Sequence, residues 1–229
     1  VWEVVSDRIT WDAEMEAIHG LKPGTFGGDY PAWRAAVHPD DRPKAEVGIR
    51  AALAGEKPFN EEFRVVWPDG TVRHILGQAI VVRDEVDGKP RQMIGVNSDI
   101  TERVQLEMEL RASALRYRSL FEQSNDAIYL ITLDGIYLDA NQRALDMLDY
   151  TLGELKALRQ PQVVVPDERA DSANILQRML AGEELPPYQR TLLRKDGSTF
   201  VSEINVGLIY DENGDVLYVQ SIVRDITER

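Results

Sequence analysis

The most regular pattern of apolar positions lies in residues 100–123. Apolar side chains recur there at heptad spacing, around Ser113, at Leu106, Leu110, Tyr117 and Leu120. A second, shorter stripe consists of Val104, Met108 and Leu115, and no Gly or Pro interrupts the run. This periodicity predicts an amphipathic helix of about 20 residues. Two roles stay open for it: a spacer helix that packs against its own domain, or a parallel coiled coil between two chains.

Before this helix, apolar and polar positions alternate in three segments, which predicts strands at residues 60–67, 72–83 and 91–98. Two short strands are predicted within residues 1–11, and helices over residues 13–19 and 38–54. Residues 22–30 are predicted as a loop because they are rich in Gly and Pro. The loop has neither the preceding strand nor the Gly-Lys-Ser/Thr ending of a phosphate-binding loop, so nucleotide binding is not expected there.

The second half repeats this order of elements. Strands are predicted at residues 127–133, 136–140, 188–194, 199–210 and 216–224, and helices at 141–148, 152–158 and 166–181. Pro39 and Pro166 are 127 residues apart, and Asp99 and Asp225 are 126 residues apart. A near-constant offset indicates a duplicated domain. The predicted domains are residues 1–103 and 124–229, connected by a helix at 104–123.

Both halves close on the same pentad, Asp-Ile-Thr-Glu-Arg, at residues 99–103 and 225–229. Asp99 and Glu102 have the spacing of a capping box, which predicts that the helix begins there. We hypothesise that Asp99 with Thr101, and Asp225 with Thr227, tie each helix start to the end of the sheet through hydrogen bonds or through a nearby Arg. Such a tie would relay a change of sheet shape to the helix.

Charge and composition limit the classes of partner that the chain is expected to bind. The net charge is −13, and both halves share it: residues 1–103 carry 13 basic and 18 acidic residues. An acidic surface argues against nucleic acid and anionic membranes. The chain has no Cys, no signal peptide and no transmembrane run, so the cytoplasm is the expected location. The chain begins inside an apolar run and ends at a helix start, which indicates a piece of a longer protein.

At this point the sequence resembles a known family. Residues 1–103 carry Trp11, His19-Gly20, the His-Pro-Asp-Asp-Arg run at 38–42, and the first pentad, and they resemble a PAS domain with its PAC motif. Residues 117–229 resemble the commoner PAS form, through Asp126-Ala127-Ile128, Asn141 and the second pentad. The resemblance implies an α+β fold: two PAS-like domains, each a five-stranded antiparallel sheet with helices on one face, joined by a long helix.

The resemblance also implies a sensory role and a set of cofactors that can be checked by residue type. Flavin-adduct and cinnamoyl chromophores both need a Cys, and because the chain has none, both are excluded. Haem-binding members use a His on the long helix. The second half has no His, and in the first half His38 stands at the start of that helix and is interpreted as a capping residue, so haem is not expected. His19 and His74 are interpreted as packing or surface residues. No metal spacing and no paired acid–base site emerge, so no catalytic residue is predicted.

An apolar cavity with a few polar groups, between sheet and helices, remains as the candidate site, its cofactor unknown. Its predicted lining in the second domain is Tyr129, Ile131, Leu145, Leu148, Leu176, Leu180, Leu192, Ile204, Val206 and Ile222. In the first domain it is Trp11, Met15, Ile18, Trp33, Phe63, Val65, Ile75, Ile94 and Val96. The alternative is that these side chains simply fill the core.

The predicted function is a sensory fragment that detects a small ligand or a partner. It would relay this signal through helices to an output domain in the same polypeptide, most often a histidine kinase of a two-component system or a cyclic-dinucleotide enzyme. The alternative is a pair of ligand-free PAS modules that act as dimerisation and spacer elements. Dimerisation through the connecting helix is compatible with both. An enzyme is a third reading, but the sequence offers it no nucleophile, phosphate loop or metal set.

Overall fold

The chain is described by a computed structural model that covers residues 1–227, so Glu228 and Arg229 of the second pentad lie outside it. Its contacts divide the chain into two compact units, residues 1–112 and residues from 113 onward. Within the described residues, each unit contains one five-stranded antiparallel sheet. The predicted duplication of an α+β domain is therefore confirmed.

The first unit begins with β1 (Trp2–Glu3) and β2 (Arg8–Ile9), followed by helices α1 (Ala13–Ile18), α2 (Tyr30–Ala36) and α3 (Arg42–Ala54). A 3₁₀ turn at Pro39–Asp41 precedes α3. Strands β3 (Phe59–Val66), β4 (Val72–Arg83) and β5 (Pro90–Asp99) form a meander, and the strand order is β2-β1-β5-β4-β3. The core lies where α3 covers the sheet, and its buried members include Ile49, Phe63, Val65 and Ile75.

Helix α4 (Thr101–Glu122) follows β5 directly and is unbroken for 22 residues, a length of about 33 Å at 1.5 Å per residue. Its apolar stripes lie on the surface of the single chain. Leu110 is 72% exposed and Leu120 is 70% exposed, and Leu106, Met108, Leu115 and Tyr117 are exposed as well. The spacer interpretation of this helix required the stripe to pack against its own domain. The stripe is exposed instead, so this requirement is not met.

The second unit repeats the same plan. Strands β6 (Ala127–Ile131) and β7 (Tyr137–Ala140) precede helices α5 (Gln142–Leu148), α6 (Leu152–Lys156) and α7 (Ala170–Leu180), with 3₁₀ turns at Gln160–Val163 and Pro166–Glu168. Strands β8 (Tyr188–Leu193), β9 (Thr199–Tyr210) and β10 (Val216–Asp225) complete a sheet of order β7-β6-β10-β9-β8.

The two units share individual contacts at the predicted offset. Arg42 donates to the carbonyl of Val37 at 3.0 Å, and Arg169, 127 residues later, donates to the carbonyl of Val164 at 2.9 Å. An acidic side chain just before each long helix accepts a hydrogen bond from the backbone of the strand that follows the helix. Asp41 accepts from Arg64 N on β3, and Glu168 accepts from Thr191 N on β8. These paired contacts show that the repeat extends from sequence into structure.

One helix is missing from the predictions, and one local prediction is wrong. Helix α2 begins at Tyr30, the last residue of the predicted loop 22–30, because Asp29 caps the helix at Ala32 N and Pro31 occupies its first turn. The capping box at Asp99 and Glu102 is also replaced. Asp99 accepts from Thr101 N at 2.8 Å, and the carbonyl of Ile100 accepts the first helical bond from Val104 N, so Ile100 stands at the N-cap.

Candidate functional site

A cavity of about 90 Å³ lies between helix α7 and the inner face of the second sheet. The helix contributes Ser172, Ile175, Leu176 and Met179, whose spacing places them on one helical face. The strands contribute alternate residues, which point to the same side of a sheet. These are Ile131, Tyr188, Arg190, Ile204, Val206, Val219 and Ser221, with Thr132, Leu133, Gly135 and Gln160 at the rim. The cavity is thus apolar with a few polar groups on one side.

Arg190 is the charged side chain of this lining, and it is 5% exposed. Its Nη1 donates to Ser172 Oγ at 2.8 Å. The guanidinium carbon lies 5.4 Å from the centre of the Tyr188 ring, a distance that permits a cation–π contact. The backbone at this point is held by Ser202, whose hydroxyl donates to the Arg190 carbonyl at 2.8 Å. The sequence predicted a few polar groups in the cavity, but it did not name Arg190, Ser172 or Ser221 among them.

The residues predicted to line this cavity divide into three groups. Ile131, Leu176, Ile204 and Val206 line it. Tyr129, Leu148 and Leu192 are buried in the adjacent core, and Leu145 packs against that core. The remaining two do not reach it: Leu180 is half exposed on α7, and Ile222 lies out of phase with its buried neighbours Ser221 and Val223. Ile222 therefore faces the outer side of the sheet, because strand side chains alternate.

Tyr129 shows how tightly the core beside the cavity is built. Its hydroxyl donates to the carbonyl of Ala144 at 2.9 Å, and burial raises its pKa well above the usual value. The ring also meets that of Tyr137 edge to face at 5.7 Å. Such a side chain stiffens the wall between β6 and α5 without entering the cavity.

The first unit has a corresponding cavity of about 100 Å³ on the inner face of its sheet. Trp11, Met15 and Trp33 line it as predicted, together with Trp2, Ile9, Tyr30, Ile49, Phe59, Met93 and the polar side chains of Gln78 and Asn97. Phe63, Ile75 and Val65 are core residues instead, and Ile18 packs against that core. Ile94 and Val96 are exposed on the outer sheet face, out of phase with buried Met93. The predicted lining in the first unit is thus partly core and partly surface.

The junction between β5 and α4 contains the contacts that the pentad suggested. Thr101 is buried, and its hydroxyl accepts from His74 N on β4 at 2.9 Å, while Ile100 N donates to the His74 carbonyl at 2.9 Å. Asp99 lies 3.9 Å from Arg73, whose guanidinium stacks on the Trp67 ring at 4.7 Å. The helix start is therefore fixed to the neighbouring strand.

The second pentad is held in a similar way as far as Thr227. Asp225 accepts from Thr227 N and pairs with Arg194 at 3.0 Å, and Thr227 Oγ1 accepts from Val201 N at 3.3 Å. Partial burial acts against ionisation of Asp225, but hydrogen bonds from Thr227 and Arg194 outweigh it and lower its pKa. Arg194 lies over the Phe200 ring at 4.1 Å.

The two junctions use the same pair of side-chain types in exchanged positions. Trp67 and Arg73 in the first unit correspond, at an offset of 127, to Arg194 and Phe200 in the second. In each unit a guanidinium lies over an aromatic ring and forms an ion pair with the aspartate of the pentad. The exchange preserves the arrangement even though neither position keeps its residue.

Comparison with protein families decides the identity of both units. A family model described as "PAS fold" matches residues 8–97, and one described as "PAS domain" matches residues 125–228. The chain is a tandem of two PAS domains. The resemblance stated from the motifs is confirmed, and each domain has the five-stranded sheet and flanking helices expected of it.

Relatives with curated names include signalling proteins. The probable diguanylate cyclase DgcE of Escherichia coli is 30% identical over 132 residues, which are 58% of this chain and 12% of that protein. The sensor protein FixL of Bradyrhizobium diazoefficiens is 28% identical over 230 residues, 96% of this chain and 44% of that protein. The chain therefore spans less than half the length of these relatives. A PAS domain from an HTR-like protein of Haloarcula marismortui is 26% identical, with a TM-score of 0.46, over 53% of this chain and 98% of that one.

In the first PAS domain, His19 is a packed residue. Its ring is buried 4.2 Å from that of Trp11, its Nδ1 lies 2.8 Å from the carbonyl of Met15, and burial lowers its pKa. His38 accepts from Asp40 N at 3.3 Å and caps the turn before α3, as predicted. Across residues 1–227, no three His, Cys, Asp or Glu side chains are grouped as ligands for a metal ion.

The loop after α1 of the first PAS domain is tied down by a carboxylate. Buried Glu16 accepts from Gly24 N at 2.7 Å and from Phe26 N at 2.9 Å, and these backbone hydrogen bonds lower its pKa. The backbone amides of Gly24 and Phe26 therefore donate to the Glu16 carboxylate and are not free to donate to a phosphate. The Trp11 and Phe26 rings stack at 3.6 Å above this loop.

None of the helices in residues 1–227 combines the length and the hydrophobicity of a bilayer-spanning segment.

Proposed function

We propose that this chain is the sensory part of a signal-transduction protein, in which the second PAS domain binds a small ligand. The observation that carries the proposal is the cavity between α7 and the second sheet, where buried Arg190 and half-buried Ser172 belong to a mostly apolar lining. Ligand pockets typically combine apolar walls with a small number of placed polar groups. A cavity that merely reflected imperfect packing would have no reason to contain a buried charge.

In this proposal the signal leaves each domain through its junction. The Asp99–Thr101 and Asp225–Thr227 contacts join the end of the sheet to the following segment, and α4 is unbroken from Thr101 to Glu122. A ligand that changes the shape of the sheet would change the direction in which the helix leaves it. The partition into residues 1–103, 104–123 and 124–229 is part of the same proposal.

The whole protein's output is proposed by analogy. One relative is named a probable diguanylate cyclase and another a sensor protein, and both are longer than this chain. We infer that an output domain of the cyclic-dinucleotide or histidine kinase type belongs to the same polypeptide, and that the two PAS domains do not catalyse a reaction themselves. A cytoplasmic location without contact to membranes or nucleic acid agrees with the net charge of −13.

Native mass spectrometry of the purified full chain tests ligand binding and oligomeric state together. We expect the wild type to retain a small molecule, and we expect the Leu176→Phe variant, which fills the cavity, to lose it. Leu180→Phe is the matched control, because Leu180 is on the same helix but half exposed and outside the cavity. A wild-type chain at its bare mass, with no adduct under gentle conditions, would contradict the proposal.

A second function is favoured by a separate observation. The exposed apolar stripe of α4, with Leu110, Tyr117 and Leu120, is what a parallel two-chain coiled coil buries. Under this alternative the PAS domains bind nothing small and act as dimerising spacers. Both functions predict a homodimer through α4, so the retained ligand separates them and the dimer does not.

A further inference from the structure

Arg190 is a buried cation without a protein anion. Among the described residues, its guanidinium makes one hydrogen bond, to the neutral Ser172 hydroxyl, and no acidic side chain lines the cavity. Other arginines of the same domain have carboxylate partners: Arg194 pairs with Asp225 and Arg224 with Asp126. We propose that the cavity binds a short aliphatic carboxylate, whose carboxylate group pairs with Arg190. This proposal rests on the proposed function, because it names the ligand class of the same cavity.

The cost of burying a charge supports this assignment. A charged group that leaves water without a partner is strongly destabilised, and an anion that pairs with it recovers much of that free energy. The guanidinium has five donors in a planar fork, which match the two oxygens of a carboxylate. With Nη1 engaged by Ser172, the remaining donors are available to a ligand.

The first PAS domain shows that the fold itself does not need these polar groups. At the equivalent positions, Arg190 is replaced by Phe63, Ser172 by Ala45, and Ser221 by Gly95. The two domains otherwise share turns, caps and strand order. The first cavity has the uncharged Gln78 and Asn97 in its lining, so the buried charge is what sets the second cavity apart, and a structural role common to PAS folds does not account for it.

The size and polarity of the cavity define the rest of the ligand. A volume of about 90 Å³ holds on the order of six to nine water-sized groups at about 10–15 Å³ each. Ile175, Leu176 and Ile204 supply apolar surface to the same lining and favour a hydrocarbon tail. Sulfate or phosphate would pair with Arg190 but leave this apolar surface unfilled. A linear carboxylic acid of about five carbons satisfies both ends.

The chain allows the two domains to be followed separately. All four Trp residues, at positions 2, 11, 33 and 67, lie in the first PAS domain. Tryptophan fluorescence therefore reports unfolding of the first domain, while calorimetry of the full chain reports both. A ligand of the second domain should raise a calorimetric transition and leave the fluorescence midpoint unchanged.

The test compares pentanoate with its neutral isostere pentanamide, and with sulfate, on the full chain. We expect pentanoate to bind by titration calorimetry and to stabilise the second domain, and we expect pentanamide and sulfate to bind at least tenfold more weakly. Arg190→Gln should weaken pentanoate binding at least tenfold, and Arg190→Lys, which keeps the charge, should weaken it less. Should Arg190→Gln not fold, the comparison of acid with amide on the wild type decides.

Four results would overturn the proposal. Equal binding of pentanamide and pentanoate, or unchanged pentanoate binding by Arg190→Gln, would show a ligand cavity that does not select carboxylates, and the proposed function would stand. Stabilisation of the tryptophan-containing domain instead of the second would place binding in the wrong cavity. If neither probe binds, the assignment is wrong, and native mass spectrometry then decides whether the ligand-binding function survives.

Discussion

At the scale of single residues, Asn141 joins three elements of the second PAS domain. The side chain is fully buried, and its Oδ1 accepts from Ile128 N at 3.0 Å and from Ala144 N at 2.9 Å. Its Nδ2 donates to the carbonyl of Phe121, in the last turn of α4, at 2.9 Å. The helix predicted at 141–148 begins at Asn141, which fits the cap contact to Ala144 N, but the partners on β6 and α4 are distant in sequence and no local pattern indicates them.

Replacing Asn141 by Ala should destabilise the second domain by about 2–4 kcal/mol, because several buried backbone groups lose their partners. Calorimetry of the full chain measures this effect on the second transition. The control is Asp12→Ala in the first domain, where an exposed cap with one hydrogen bond to Met15 N is removed, at a cost of about 1 kcal/mol. Equal losses in the two variants would mean that the contacts of Asn141 beyond the cap, to Ile128 and Phe121, contribute nothing.

Asp41 and Glu168 occupy equivalent positions and differ in what they bind. Asp41 accepts from Arg64 N and also forms a two-pronged ion pair with the Arg64 guanidinium, at 2.8 and 2.9 Å. Glu168 accepts from Thr191 N alone. The side-chain hydrogen bonds from Arg64 lower the pKa of Asp41 to about 2 from an ordinary value of 3.8.

The depressed pKa fixes the direction of a pH effect. Ionised Asp41 stabilises the first domain fully above pH 3.8, and this contribution is lost as the pH falls from 3.8 to about 2. We expect Asp41→Asn to lower stability at pH 7 by about 1–2 kcal/mol and to flatten the loss of stability below pH 4. Tryptophan fluorescence during urea unfolding follows this domain. Parallel pH profiles for the wild type and the variant would show that the ion pair does not act in this way.

The sheet residues show where sequence reasoning reached its limit. Strand existence follows from alternation and turns, but the side of the sheet that a residue faces depends on the phase, and a shift of one residue reverses it. Ile94, Val96 and Ile222 are apolar residues on outer faces, so hydrophobicity alone placed them on the wrong side. Arg190 was missed for the opposite reason, since a charged strand residue reads as an exposed one.

At the scale of elements, the long strands and the short helices α1, α5 and α6 were predicted, and the short helix α2 was not. Strands β4 and β9 have the predicted bounds, because both are long and are bounded by Asp-Gly turns or by Gly-containing loops. Helix α2 was missed because seven residues after a Gly-rich loop carry little periodicity. Asp29 and Pro31 were the available signal for its start.

The stripe of α4 gives a prediction at this scale. The chain has no Cys, so a single introduced Cys reports proximity without background. Ser113 lies within the stripe, and Ala114 lies about 100° around the helix from it. We expect Ser113→Cys to form disulfide-linked dimers under mild oxidation and Ala114→Cys to do so at least tenfold more slowly. Similar rates for both variants would mean that the stripe does not pair two chains.

At the scale of the whole molecule, the duplication separates what the fold requires from what one domain adds. Both PAS domains keep the sheet order, the arginine contact before the long helix and the aspartate–threonine junction. They differ in the cavity, where Arg190 and Ser172 stand in place of Phe63 and Ala45. This contrast leads us to assign ligand recognition to the second domain and to treat the junctions as common machinery.

The central claim is that the state of the second cavity reaches the helices that flank this domain. Helix α4 is the one that the structure describes, and the hydrogen bond from Asn141 Nδ2 to the Phe121 carbonyl joins it to the second domain. Hydrogen–deuterium exchange of the full chain, read on peptides from residues 101–122, tests it without knowledge of the ligand. Filling the cavity with Leu176→Phe should change exchange both around the cavity and along α4, while the surface control Leu180→Phe should change neither. If Leu176→Phe alters exchange at the cavity strands but leaves residues 101–122 at the wild-type rates, the cavity and the helix are not coupled and the account is wrong.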